Sequence, residues 1–156
     1  MPSLDQALRA ALAARENLLR ELHAQGTDCY RLFHGSQEGV GGLTVDRYGA
    51  QLMVQSFHQT LNRDELLALH EQVNDTLGFA TLLVYNDRSK GNSRVDRSDP
   101  VYAPDEQALV DLVGREWGLN YRVRGRHAGQ DPLLFLDLRN ARGWVQRHSA
   151  GKRVLN

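Results

Sequence analysis

The chain has 156 residues, 41% of them apolar and 24% charged, which is ordinary globular composition and long enough to bury a core without covalent staples. Its one cysteine, Cys29, excludes an intrachain disulfide framework and a cysteine-rich zinc site. No apolar run approaches the roughly 20 residues that a membrane-spanning helix needs. Met1 to Asp5 lacks the basic start and apolar block of a secretion signal, so a cytoplasmic location is expected. Nineteen basic residues balance nineteen acidic ones, but from Asn120 onwards eight basic residues face two acidic ones. That asymmetry points to an anionic ligand or partner near the C-terminal part, or else to a solvated arginine face.

Ser3 with Gln6 reads as a capping box, and Leu4, Leu8, Ala11, Leu12, Leu18, Leu19 and Leu22 follow at helical spacing. One amphipathic helix over 3–25 is predicted, stopping at Gly26. Cys29 to Phe33 reads as a strand, followed by a glycine-bearing loop over 34–42. Leu43 to Tyr48 and Gln51 to Phe57 read as strands joined by a tight turn at Gly49-Ala50. Asn62 with Glu65 is a second capping box, opening a helix that ends at Gly78. Thr81 to Tyr85 has the length and apolarity of a short strand. The polar segment from Asp87 to Asp105, with Pro100 and Pro104, predicts a mobile loop. Leu109 to Trp117 and Leu119 to Arg124 flank Gly118 as a hairpin or, for the first run, a short helix. Leu138 to His148 predicts a helix ended by Gly151. Val154-Leu155-Asn156 looks like the beginning of a buried strand, which suggests a piece of a longer protein.

The cluster Gly39-Val40-Gly41-Gly42 lacks the third glycine of a dinucleotide fingerprint and has no following phosphate-loop lysine. A turn between strands is the better reading. The six histidines show no metal-ligand spacing, so no metal site is expected. Cys29 reads as a buried inert thiol. Within Asp46-Arg47-Tyr48, alternation puts Asp46 and Tyr48 on one face of a strand and Arg47 on the other. The most informative segment runs from Gly129 to Arg142. There Leu133 to Leu136 leads into Asp137, placed to cap a helix, and Arg139 and Arg142 share a helical face. An aromatic, a carboxylate and two guanidinium groups can hold a charged small ligand; the same pattern also fits a capped helix with exposed arginines.

Three stretches together resemble one family. Tyr30 to Phe33 with Gly39 to Gly49, including Val45-Asp46-Arg47-Tyr48-Gly49 and then Met53-Val54-Gln55, resembles the central domain of class I S-adenosylmethionine-dependent methyltransferases of large-subunit ribosomal RNA. Gly129-Gln130 to Arg142 resembles that family's Gly-Gln-x-x-Gly-x-Phe-Leu-Asp-x-Arg-x-x-Arg signature, with leucine where the family has the internal glycine. Gly151 to Asn156 resembles the first strand of the methyltransferase domain, upstream of the cofactor loop.

The resemblance implies an α+β fold with three parts. An N-terminal helix (1–26) and a small mixed-sheet central domain (27–105) lead into the start of an incomplete α/β Rossmann-like domain (106–156). It implies Phe135, Asp137, Arg139 and Arg142 as cofactor-binding residues for S-adenosylmethionine. Catalytic residues are expected beyond Asn156, and the 156-residue chain alone is expected to be inactive. Arg122, Arg124 and Arg126 form a candidate stripe for the phosphates of ribosomal RNA. The alternatives are a non-catalytic RNA-binding or protein-interaction module, and a homodimer formed through the apolar face of the 3–25 helix.

Overall fold

The computed structural model describes residues 2–89, 109–126 and 132–155. Most of the expected 87–105 loop, and Gly129 to Asp131 of the signature segment, lie outside the described residues.

Helix α1 (Leu4–Ala24) begins with the full capping box of Ser3 and Gln6. Strands follow as β1 (Cys29–His34), β2 (Leu43–Tyr48) and β3 (Gln51–Ser56), with a one-turn helix α2 (Gly35–Glu38) after β1. Helix α3 (Arg63–Leu77) carries the second capping box and stops at left-handed Gly78. It returns the chain to β4 (Leu82–Asp87). The sheet order is β1-β2-β3-β4. The first two pairings are antiparallel and β3 pairs β4 in parallel, an arrangement that requires the α3 crossover.

Alternation along the strands divides the sheet into two faces. Leu43 and Val45 of β2 and Leu52 and Val54 of β3 face one way, into a core with α1 and α3. Leu8, Ala11, Leu12, Leu19 and Leu22 of α1 lie in that core. The apolar stripe of α1 is therefore spent on its own chain, and dimerisation through that face is not supported. A bulge between Arg31 and Phe33 in the β1–β2 pairing puts Leu32 and Phe33 together into this core. On the opposite face Cys29, Tyr48 and Met53 pack with Val123 and Leu134. Every residue of β2 and β3 is consequently buried.

The 109–124 region is a hairpin rather than a helix. Strand β5 (Leu112–Glu116) pairs β6 (Leu119–Val123), and Trp117 (φ 54°) and Gly118 (φ 75°) are the two left-handed turn residues that such tight hairpins demand. The hairpin sits against the β2–β3 turn. Gly49 has φ 61°, and a Cβ there would lie 2.4 Å from the Val113 carbonyl oxygen. Gly49 N–H also donates to Asp28 O at 3.0 Å.

A single 3-10 turn (Leu136–Leu138) leads into helix α4 (Arg139–His148). Asp137 lies inside that turn and does not cap α4, whose first residue follows Leu138 without a side-chain cap. The expected strand start at Val154 and Leu155 is not in a strand, and those side chains are 59% and 99% exposed. No helix among the described residues is long and apolar enough to cross a membrane.

Candidate functional site

The second face of the sheet does not meet the hairpin everywhere. Between the C-terminal half of α1, strands β1 to β3 and the 132–139 segment lies a cleft of about 630 Å³. Phe135, Asp137 and Arg139 line it from one side, and Arg31, Asp46, Tyr48 and Gln55 from the sheet.

The sheet supplies a fixed charge pair. Arg31 and Asp46 are register partners. Arg31 Nε donates to Asp46 Oδ1 at 2.7 Å and Nη2 to Oδ2 at 2.9 Å. The Asp46 side chain is 1% exposed and that of Arg31 40%, so the carboxylate is sealed in while the guanidinium keeps an open flank toward the cleft. The hydrogen bonds to Asp46 raise the Arg31 pKa above its ordinary value, and Asp137 adds to the field that does so. Asp137 thus faces Arg31 across the cleft although the two lie far apart in sequence. Tyr48 Oη donates to Leu134 O at 3.4 Å, tying the sheet to the segment that precedes Phe135.

Of the four residues expected at a cofactor, three line the cleft. The fourth, Arg142, is held elsewhere: it pairs with Glu116 of β5 and donates to Phe135 O at 2.7 Å. Arg139 has its guanidinium 5.3 Å from the Trp117 ring centre, and its Nη1 is buried with no hydrogen-bond partner among the described residues. Phe135 is 51% exposed.

The expected arginine stripe divides. Arg122 and Arg124 project on one face of β6 and both pair with Asp111. Against a desolvation effect, hydrogen bonds from Arg122 and Arg124 hold the Asp111 carboxyl below its usual range. Arg126 does not continue the stripe. It is 6% exposed, with Nη2 donating to Tyr85 O at 2.9 Å and Nε to Asn86 Oδ1 at 3.2 Å. The chain turns inward at Gly125, whose position a Cβ would deny by meeting Gln51 Oε1 at 2.5 Å.

Sequence reasoning placed Asp46 and Tyr48 on one strand face but did not find Arg31 or Gln55. The bidentate pairing of Arg31 with Asp46 depends on strand register, which the residue order alone does not give.

No family model matches the chain. A ribosomal RNA large subunit methyltransferase of Deinococcus radiodurans is 34% identical over 156 residues, covering 96% of this chain and 37% of its own length. A ribosomal RNA large subunit methyltransferase I of Shewanella denitrificans is 30% identical over 156 residues, with 96% and 36% covered. The chain is a distant homologue of part of the ribosomal RNA large subunit methyltransferases. It spans about 36% of the length of these curated relatives. Among solved structures, one described as a methyltransferase complexed with SAH superposes with a TM-score of 0.67 at 24% identity, covering 94% of this chain and 35% of that one. A second, described as a SAM-dependent methyltransferase from Streptococcus mutans, gives 0.65 at 22%, again over 94% and 35%. The fold of this chain is therefore that of one part of a larger methyltransferase chain.

Proposed function

We propose that this chain is the substrate-side part of an S-adenosylmethionine-dependent methyltransferase acting on a base of ribosomal RNA. In this reading it contributes RNA contacts and one wall of the cofactor pocket. The observation that carries the proposal is the meeting of Phe135, Asp137 and Arg139 with the Arg31–Asp46 pair in one cleft.

The donor set fits the methionyl end of the cofactor. That end carries an ammonium and a carboxylate; Asp137 suits the first, and the unpartnered Nη1 of Arg139 suits the second. Phe135 offers an exposed ring against which a sulfonium can pack. When bound, the cofactor supplies an activated methyl group. This chain's residues bind and orient it, and the reacting base is held by groups outside the 156 residues. Arg122 and Arg124 supply the phosphate contacts, while Arg126 fixes the base of the hairpin. A ribosomal site modified in a reducing compartment fits the lone buried thiol of Cys29.

Titration of the isotopically labelled chain with S-adenosylhomocysteine tests the cofactor wall. Backbone resonances of Phe135, Asp137 and Arg139 are expected to move, and Asp137→Ala and Arg139→Ala to abolish the movement. No change up to the solubility limit, or changes that survive both substitutions, would remove the cofactor role.

A further inference from the structure

Beside the charged cleft, and sharing Arg31 and Gln55 with it, lies a second cleft of about 410 Å³. Its volume falls in the range of small-molecule sites, roughly 300–1,000 Å³. Its floor is a row of three side chains across three strands. His34 of β1 is the register partner of Thr44 of β2, and Thr44 of Gln55 of β3. Directly opposed residues stand side by side on one sheet face. Thr44 is 9% exposed and Gln55 4%. His34 Nδ1, Thr44 Oγ1 and Gln55 Oε1 are all buried with no hydrogen-bond partner among the described residues.

Buried polar atoms are nearly always paired, because each left unpaired forfeits its hydration. Three adjacent exceptions on one cleft floor are a recognition edge looking for its complement. The row itself holds no lysine or arginine for a phosphate and no carboxylate or thiolate for a metal ion. It matches the edge of a planar heterocycle that presents its own donors and acceptors. The rim suits the remainder of a nucleotide. Phe57, 37% exposed, lies at the mouth with the Arg88 guanidinium 5.0 Å from its ring centre, and the Arg31 guanidinium stands in the wall common to both clefts. An aromatic for stacking and cations for the backbone are the usual means of holding single-stranded RNA.

We infer that the His34–Thr44–Gln55 row is a subsite for one unpaired nucleobase of the RNA, next to the cofactor-side cleft. This rests on the ribosomal RNA reading above, and it adds a base-reading element on the sheet to the phosphate contacts of the hairpin.

The test compares two labelled probes on the 156-residue chain by fluorescence anisotropy at fixed salt: a single-stranded cytidine pentanucleotide, and the same pentanucleotide with its central base removed. The intact probe is expected to bind at least about five-fold more tightly, a modest fraction of what one stacked and hydrogen-bonded base can supply. Thr44→Val and Gln55→Leu are expected to reduce it to the level of the abasic probe while leaving the urea midpoint unchanged or higher, since each removes an unpaired buried polar atom and keeps the side-chain volume. A merely structural row would lose stability instead. Equal, salt-dependent binding of both probes would overturn the nucleobase subsite and leave the RNA reading standing. Binding of neither probe would overturn both. Preference for the intact probe that survives both substitutions would overturn the assignment to this row.

Discussion

Arg142 grips Glu116 through both arms of its guanidinium, Nε to Oε1 at 2.7 Å and Nη2 to Oε2 at 2.8 Å. The Glu116 side chain is fully buried and that of Arg142 is 24% exposed. This contact, with the Phe135 carbonyl as a third partner of Arg142, pins α4 and the 3-10 turn to the hairpin. It orients the cleft wall from behind. Removing Arg142 leaves a sealed carboxylate without its counter-charge, and Arg142→Ala is expected to cost about 3–5 kcal/mol. Urea unfolding measures it. The double variant Glu116→Leu, Arg142→Met should recover most of that loss, because a buried pair is replaceable by apolar volume. A double variant as unstable as the single one would show that the pair does more than neutralise itself.

Asp111 pairs with both Arg122 and Arg124, so under the proposed function it would compete with RNA for them. Asp111→Asn is expected to strengthen binding of the chain to ribosomal RNA fragments. It should also steepen the dependence of log K on log salt by about 0.7–0.9 for each further phosphate that the freed arginines neutralise. Arg122→Ala with Arg124→Ala should flatten it. Equal slopes in all three proteins would remove the hairpin from the RNA interface.

The Cys29 thiol is fully buried. Burial, then the nearby Asp28 carboxylate, push its pKa up to about 12. The folded state therefore favours the protonated thiol. Its contribution to stability is complete below the unfolded thiol value near ~8.5 and is lost as pH rises from there toward 12. Ellman's reagent at about pH 8 is expected to label the native chain only as fast as the chain opens, and urea midpoints should fall above about pH 9. Cys29→Ala should lessen that fall. Immediate stoichiometric labelling without denaturant would contradict the packing.

Gly49 is one of the points where the two sheets touch. A side chain there must adopt a left-handed φ and displace the Val113 carbonyl. Gly49→Ala is expected to destabilise by at least about 1–3 kcal/mol from backbone strain alone. Amide exchange in β5 and β6 should rise more than in β1 to β4. Uniform acceleration across both sheets would mean that the hairpin and the main sheet unfold as one.

The parts of the fold legible in the residue order are those whose causes are local. Both long helices declare themselves through capping boxes and leucine spacing within a few turns, and Gly49-Ala50 announces the β2–β3 turn. Long-range relations stay hidden. Arg31 with Asp46, and Arg142 with Glu116, are pairs set by strand register and by how α4 docks. Arg126 continues the alternation of Arg122 and Arg124 on paper, yet the chain turns at Gly125 and carries it inward. Asp137 has the right chemistry for a helix cap, but a 3-10 turn displaces the helix start beyond it. In the site, Phe135, Asp137 and Arg139 stand out because they lie close together in sequence. The sheet side of the cleft is assembled from three strands and has no such signature.

Trp117 gives the chain a built-in optical reporter. Its indole lies under Gly143 of α4, where a Cβ would come within 2.8 Å of the ring nitrogen, and the Arg139 and Arg147 guanidinium groups stand 5.3 and 5.6 Å from its ring centre. Any ligand that draws Arg139 toward the cleft takes a cation away from that ring. With the exposed Trp144 replaced by Phe, emission of the remaining tryptophan would follow occupancy of the cleft in real time, with no dye attached.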